Sequence, residues 1–458
     1  MRRHGKMNFH STNYNTPDVD LKTAILKGQA LDNGLYMLNE IPKLLDETFD
    51  SFRDIDFQAL SFKILSQFTK ESIPNDKLKE MINKALNFQV PVEKVNENDY
   101  ICYLDQGPTA SFKDFGARML ARLMEYFLEK ENRKAIILTA TSGDTGGAVA
   151  QAFFKIKRIK VVVLYPQDEI SDLQRKQMTT LGENVTAIGA KGKFDDCQKL
   201  VKMAFSDQDL KSLNLSSANS INVGRLLPQT LYYFWSYLRT IERSGEKVIF
   251  SVPSGNFGNL TGGLIALTMG LPVKKFISAV NENDEFPLFL TTGVYEKLET
   301  SKNCISNAMN VGHPSNLARI IDLYGGVMDE NGIVSKDPDM IKLRNDIISY
   351  SIDDELTKAT ITNFYRNYSK IIDPHGAVGW AALRKFRKLS PEYSGLKAIV
   401  FETADPAKFP EEIDSLVNQN SPLPKSLQRI SRLPEIPNPK EMETYNDFKT
   451  FLMTQFSA

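Results

Sequence analysis

The sequence predicts an α/β protein with largely parallel sheets, on three observations. Short β-branched runs alternate with stretches of helical period after residue 134, small-residue turns join each run to the stretch that follows, and the chain has 458 residues. A single core stops growing near roughly 250–300 residues, so more than one packed domain is expected.

Residues 1–95 lack the alternation. FQALSFKILSQFTK and DKLKEMINKAL repeat apolar residues at helical spacing, so this segment reads as a separate N-terminal cap domain. Its opening, MRRHGKMNFH, is basic with no apolar stretch behind it, and Met7 is an alternative start. AIILTA (135–140) then leads through TSGDTGG into AVAQAFFKI, and KVVVLYP (160–166) leads into LQRKQMTTLG. VTAIGA (185–190) precedes FDDCQKLVKMAF, VIFSVPSG (248–255) runs through NFGN into LTGGLIALTMG, and LKAIVFETA (396–404) ends in a proline-containing turn. Two α/β units are expected, 96–245 and 246–430. A proline-rich tail at 431–458 should close on an amphipathic helix.

Charge and cysteine usage narrow the partners. Lys plus Arg and Asp plus Glu each number 56, so no basic field recruits nucleic acid or an anionic membrane. A small-molecule partner is expected. Cys102, Cys197 and Cys304 have neither metal-ligand spacing nor a disulfide framework, which fits a reducing cytoplasm, and no metal is expected. No stretch approaches the roughly 20 apolar residues of a membrane span.

The string PTASFKDFGAR (108–118) puts Lys113 at the first turn of a helix marked by Phe112, Phe115, Met119, Leu120 and Leu123. Ser111 and Asp114 have the spacing of a capping box. Helix-end partial positive charge and apolar neighbours both disfavour an ammonium, so Lys113 should present a more usable amine than an ordinary lysine. Schiff-base chemistry requires such an amine. Two glycine-rich turns, SGNFGN (254–259) and TSGDTGG (141–147), follow strands and open helices, where free amides and the helix dipole favour anions. SGNFGN suits a phosphate and lacks a Walker lysine. Ser142 and Thr145 suit a carboxylate, whereas Asp144 sits awkwardly beside any anion and otherwise reads as a helix cap. Asp195 and Asp196 read as an acidic first turn, and His375 as part of a helix start after Asp373 and Pro374.

In order and interval, PTASFKDFGAR, TSGDTGG and VPSGNFGN resemble the threonine synthases. The likeness extends to STN near 11, GLYM (34–37), GKFDDCQ (192–198), NSINVGRLLPQ (219–229), MNVGHPSN (309–316), DPHGAVG (373–379) and TADPAKFPE (403–411). It implies a pyridoxal 5'-phosphate enzyme of fold type II, like the tryptophan synthase β chain, of the bacterial and fungal subgroup with an N-terminal extension. Lys113 is then the Schiff-base lysine. Gly255, Asn256, Phe257, Gly258 and Asn259 cradle the cofactor phosphate, Asp144 faces the phenolic oxygen, and Thr403 meets the pyridine nitrogen. Ser142 and Thr145 take the substrate carboxylate. Arg225 with Asn219, Ser220 and Asn222, and secondly Arg118, take the substrate phosphate.

The implied reaction is O-phospho-L-homoserine plus water to L-threonine plus phosphate. Its rivals are a phospho-lyase or threonine/serine dehydratase releasing a 2-oxo acid, and a non-catalytic cofactor-binding paralogue. Three positions depart from the family pattern: Asp405 stands where a histidine is usual, Asn310 for an aspartate and His313 for an asparagine.

Overall fold

The computed structural model describes residues 7–44, 49–419, 421–437, 442 and 444–456. The basic residues ahead of Met7 and the side chain of Asp195 lie outside the described residues. Two sheets carry the architecture. The smaller runs Val185–Ala190, Ile159–Pro166, Ala135–Ala140 and Leu215–Ser216, all parallel. The larger runs Ile347–Ser351, Val273–Val280, Val248–Pro253, Ala398–Glu402, Asp99–Tyr103 and Val92–Lys94, parallel except for the last pair. AIILTA and VIFSVP are buried at every position, because helices cover both faces of a parallel sheet.

The strands Val273–Val280 and Ile347–Ser351 were not evident in the sequence. VKKFISAV opens with two exposed or half-buried lysines, and IISYS is short and mostly half-buried. Asp99–Tyr103 precedes Lys113 yet joins the larger sheet, in register with Ala398–Glu402. The segment 96–245 thus gives its first strand to one sheet and the strands from Ala135 to Ser216 to the other.

The N-terminal segment is not wholly helical. Helices Phe57–Thr69 and Asn75–Ala85 form as the periodicity requires, but Asn8–Ser11, Val19–Asp20 and Tyr36–Leu38 make a small antiparallel sheet. Strands of two to four residues are too short to register as alternation. Arg319, fully buried, ties this segment to the centre. Its guanidinium donates to Tyr36 O at 2.9 and 3.1 Å, to Ile221 O at 2.6 Å and to Asn316 Oδ1 at 2.6 Å.

The tail ends in the expected helix, Tyr445–Phe456. Phe448 and Leu452 share an apolar cluster with Cys197, Val201 and Ala204 of the helix Phe194–Ser206. Lys449 adds ion pairs to Asp207 at 2.9 Å and Asp209 at 2.6 Å. Upstream, Arg175 meets Glu435 through two 3.0 Å contacts.

Candidate active site

A cavity of about 210 Å³ opens where the strands Ala135–Ala140 and Val248–Pro253 hand over to their helices. Carboxyl ends of parallel strands are the usual place for a ligand crevice. Lys113, Ser142, Asp144, Thr145, Asn219, Ser220, Arg225, Gly255–Asn259 and Thr403 all line it. A larger cavity of about 700 Å³ adjoins it, sharing Phe194, Gln198, Asn310 and His313 among its walls, and forms a vestibule.

Lys113 begins the helix Lys113–Lys130, as the spacing predicts, but the capping box does not form. Ser111 Oγ accepts from Lys113 N at 3.3 Å, while Asp114 turns back to accept from Thr109 N at 2.8 Å and Thr109 Oγ1 at 2.9 Å. Asp114 is fully buried, and Thr109 rather than the helix end satisfies it. The loop before Lys113 is stitched to the turn after Ala398–Glu402. Phe112 N donates to Thr403 O at 2.9 Å, and Asp405 N donates to Ala110 O at 3.1 Å.

The TSGDTGG turn is shaped by Thr141, whose Oγ1 accepts from Gly143 N at 2.9 Å and Gly146 N at 2.7 Å. Gly143 has φ 130°, and a Cβ there would lie 2.5 Å from Gln174 Cδ. Asp144 makes no helix cap. Its Oδ2 lies 3.5 Å from Lys113 Nζ, and its Oδ1 meets both Lys408 Nζ and Gln174 Nε2, the latter at 3.2 Å. Burial opposes ionisation of Asp144, but the Lys408 and Lys113 ammonium groups outweigh it and hold the carboxyl far below the usual range. Burial, reinforced by Lys408 and Arg225, lowers the Lys113 pKa against the pull of Asp144.

In the second turn, Phe257 at φ 57° precedes the helix Gly258–Thr268. A Cβ on Gly255 would sit 2.8 Å from both Ala308 O and Met309 Cα. Asn256 is braced on both sides: its Nδ2 donates to Ser220 Oγ at 2.6 Å, and its Oδ1 accepts from Ser315 N at 2.6 Å. Asn259 Oδ1 accepts from Tyr232 at 2.9 Å and Tyr233 at 2.8 Å, leaving its buried Nδ2 without a partner.

Arg225 is buried rather than a surface residue, only 3% exposed. One terminal nitrogen donates to Ala218 O at 2.7 Å, Nε has no partner, and among the described residues no carboxylate lies in ion-pair range. Burial lowers its pKa to about 10. Two expected substrate ligands do not join this group. Arg118 donates to Ala85 O at 2.6 Å, Lys84 O at 2.8 Å and Asn87 Oδ1 at 2.8 Å, clasping the N-terminal segment instead of lining the cavity. Asn222, fully buried, caps a short helix through Gly224 N at 2.9 Å and donates to Ile25 O at 2.9 Å.

Lys408 and His375 were not among the expected site residues. Lys408 is the buried partner of Asp144, and TADPAKF offers no local signal that this lysine turns inward. His375 lines the cavity in a helix start capped by Asp373, as its motif suggested. Its Nε2 accepts from Ala308 N at 3.2 Å, so Nδ1 carries the proton and donates to Asp373 Oδ1 at 2.5 Å. Of the three departures, Asn310 ties Asn281 Nδ2 (2.8 Å) and Cys304 N (3.2 Å) beside the cavity. His313 bonds the Tyr295 hydroxyl at 2.8 Å at the vestibule. Asp405 lies outside the lining and caps Ala407 N at 2.8 Å. The three cysteines are buried and unpaired.

This fold and site define a pyridoxal-phosphate-dependent enzyme of fold type II, and residues 91–401 match the family model described as "Pyridoxal-phosphate dependent enzyme". Residues 8–86 match "Threonine synthase N terminus" and residues 376–448 match "Threonine synthase, C-terminal". The chain belongs to the threonine synthase family. It is 37% identical to the threonine synthase of Serratia marcescens over 98% of this chain and 99% of that protein. The crystal structure of threonine synthase from Escherichia coli superposes with a TM-score of 0.87 at 36% identity, covering 98% of this chain and 100% of that one. The pyridoxal-phosphate-bound threonine synthase from Brucella melitensis gives 0.91 at 30% identity, over 99% and 100%.

Proposed function

We propose that the chain converts O-phospho-L-homoserine and water to L-threonine and phosphate with pyridoxal 5'-phosphate bound in the 210 Å³ cavity. The observation that carries this reading is the convergence on one cavity of an amine with lowered basicity, a backbone turn that admits no side chain at Gly255 and a buried arginine without a carboxylate.

The residues present fit the cofactor. Gly255 lets backbone approach where a side chain would collide, the helix Gly258–Thr268 presents its free amides, and Asn259 Nδ2 is an unspent donor. We assign the phosphate to Gly255–Asn259, the covalent anchor to Lys113, the phenolic oxygen to the Asp144 turn and the ring nitrogen to Thr403. Pyridoxal phosphate supplies an electron sink conjugated to the substrate α-carbon. A neutral hydroxyl at Thr403 leaves that sink weaker than a full pyridinium, so proton placement by the protein matters more.

Ser142 and Thr145 orient the substrate carboxylate, and Arg225 with Asn219 and Ser220 receives its phosphate. Lys113, as a neutral amine, removes the α-proton and, once it has handed that proton on and is neutral again, a β-proton. The γ-phosphate departs with the C–O bonding pair, the γ-carbon takes up a proton and becomes the methyl group, the hydroxyl of water adds at the β-carbon, and Lys113 returns a proton to the α-carbon. In this division of labour, segment 96–245 supplies the lysine and the carboxylate turn, and segment 246–430 supplies the phosphate turn and Thr403. We place the enzyme in the cytoplasm, a reading supported by its unpaired cysteines, with no nucleic-acid or membrane partner. Among the described residues no helix is long and apolar enough to cross a membrane.

The test is phosphate release from phosphohomoserine with identification of the organic product. Threonine supports the synthase, 2-oxobutyrate replaces it with a lyase, and neither product supports a non-catalytic paralogue.

A further inference from the structure

Lys408 is wholly buried, lines no part of the cavity, and has no role in the chemistry proposed above. Its Nζ is held by Thr109 O at 3.2 Å and by Asp144 Oδ1. Each support is itself fixed. Thr109 O also accepts from Gln177 Nε2 at 3.0 Å, and the turn Pro406–Lys408 is capped by Asp405. An isolated buried ammonium is costly, so a lysine fixed this firmly beside a carboxylate has a pairing role.

Asp144 has two ammonium neighbours and one negative charge. The pairing is unequal: Lys408 makes the close contact on Oδ1, and Lys113 lies 3.5 Å from Oδ2. We infer that Lys408 is a positioning residue for Lys113, acting through the Asp144 carboxylate that the two side chains share. This rests on the reading of Lys113 as cofactor anchor and proton carrier.

Two consequences follow from the geometry. Lys408 makes the closer contact with Asp144, so that carboxylate holds Lys113 less tightly than it would hold a sole partner. Lys408 also keeps Asp144 paired when Lys113 is covalently engaged and no longer an ammonium, so the carboxylate is never stranded in the interior. The other charged groups acting here fit the assignment. Arg225 acts on Lys113 in the same direction as Lys408, Asp114 and Asp405 interact with Lys408, and the imidazole of His375, neutral in its bonding to Ala308 N and Asp373, is the remaining titratable group near Asp144.

The experiment is the pH dependence of cofactor reconstitution of the apoprotein, followed by visible absorbance, alongside the pH profile of kcat, which reads Lys113 as the free amine of the substrate complex. Lys408→Met is expected to move the acidic limb of both profiles up by about one pH unit or more, because Asp144 then holds the proton on Lys113 alone. Asp144→Asn is expected to move it down, and Lys408→Arg to leave it near the parent position. Limbs that stay put in Lys408→Met and Asp144→Asn, with only lower yield or melting temperature, would reduce Lys408 to a structural pair and overturn the inference. If Lys408→Met does not accumulate as folded protein, the direction of the Asp144→Asn shift decides. Visible absorbance that persists in Lys113→Ala would instead overturn the underlying reading of Lys113, which separates the two failures.

Discussion

The main-chain N–H of Phe112 donates to the carbonyl of Thr403 at 2.9 Å, joining the residue before Lys113 to the one assigned to the cofactor ring nitrogen. The isolated bridge between Ser111 and Ala404 lies beside it. The amine and the hydroxyl are therefore spaced by backbone, and side-chain changes nearby should alter their chemistry more than their separation.

Gly255→Ala tests the cradle. The added Cβ would meet Ala308 O and Met309 Cα at 2.8 Å, and backbone on both sides cannot rotate away. We expect cofactor affinity to fall roughly 10- to 100-fold, or about 1.4–2.8 kcal/mol. Titration of apoprotein with pyridoxal phosphate measures it, and an unchanged Kd would remove Gly255 from the site.

Arg225 and Arg118 should part company in kinetics. Arg225→Lys retains charge but loses the planar fork, so KM for phosphohomoserine should rise by about tenfold or more. Arg118→Ala should leave KM near the parent value and lower the melting temperature, because it deletes three contacts to residues 84–87. The opposite pattern would return Arg118 to the substrate.

Asp105 should make stability depend on pH below neutrality. Burial, with Asp405 and Asp373 nearby, raises its pKa to about 6, above the roughly 3.9 of an unfolded chain. The native state therefore binds the proton more tightly, and this contribution to stability is lost as pH rises from about 4 to about 6. Asp105→Asn, which mimics the protonated form, should match the parent near pH 4 and exceed it by up to about 3 kcal/mol at pH 7. Chemical denaturation at both pH values decides, and a gap that does not widen with pH would refute the assignment.

Asp405→His replaces a capping carboxylate whose charge acts on Lys408. Loss of the cap should cost about 1 kcal/mol of stability. Turnover on phosphohomoserine should change by roughly a few-fold, since about 1.4 kcal/mol corresponds to tenfold. Identical turnover would disconnect this departure from the chemistry.

Much of the fold was legible because the central strands are continuous apolar runs and their helices follow at once, as in AIILTA–TSGDTGG. Lys113, the phosphate turn and Thr403 were legible through motif order. What escaped depends on partners distant in the chain. Arg118 looks available until residues 84–87 fold against it, Asn222 looks like a loop ligand until it reaches Ile25, and Lys408 finds Asp144 across 264 positions. Local spacing carries no information about such meetings. The small N-terminal sheet escaped for a simpler reason, since two to four residues show no period.

The strand Ala398–Glu402 lies between Val248–Pro253 and Asp99–Tyr103 in the larger sheet. On a ribosome adding roughly 5–20 residues per second, Asp99–Tyr103 emerges long before this neighbour is synthesised. Its edge must wait, unpaired on that side, for a late insertion into the middle of the sheet. The nascent chain can have neither an assembled lysine site nor a closed larger sheet until nearly nine-tenths of the protein has been made, so birth of the enzyme should be a late and abrupt event, and the waiting edge a natural point for chaperone protection.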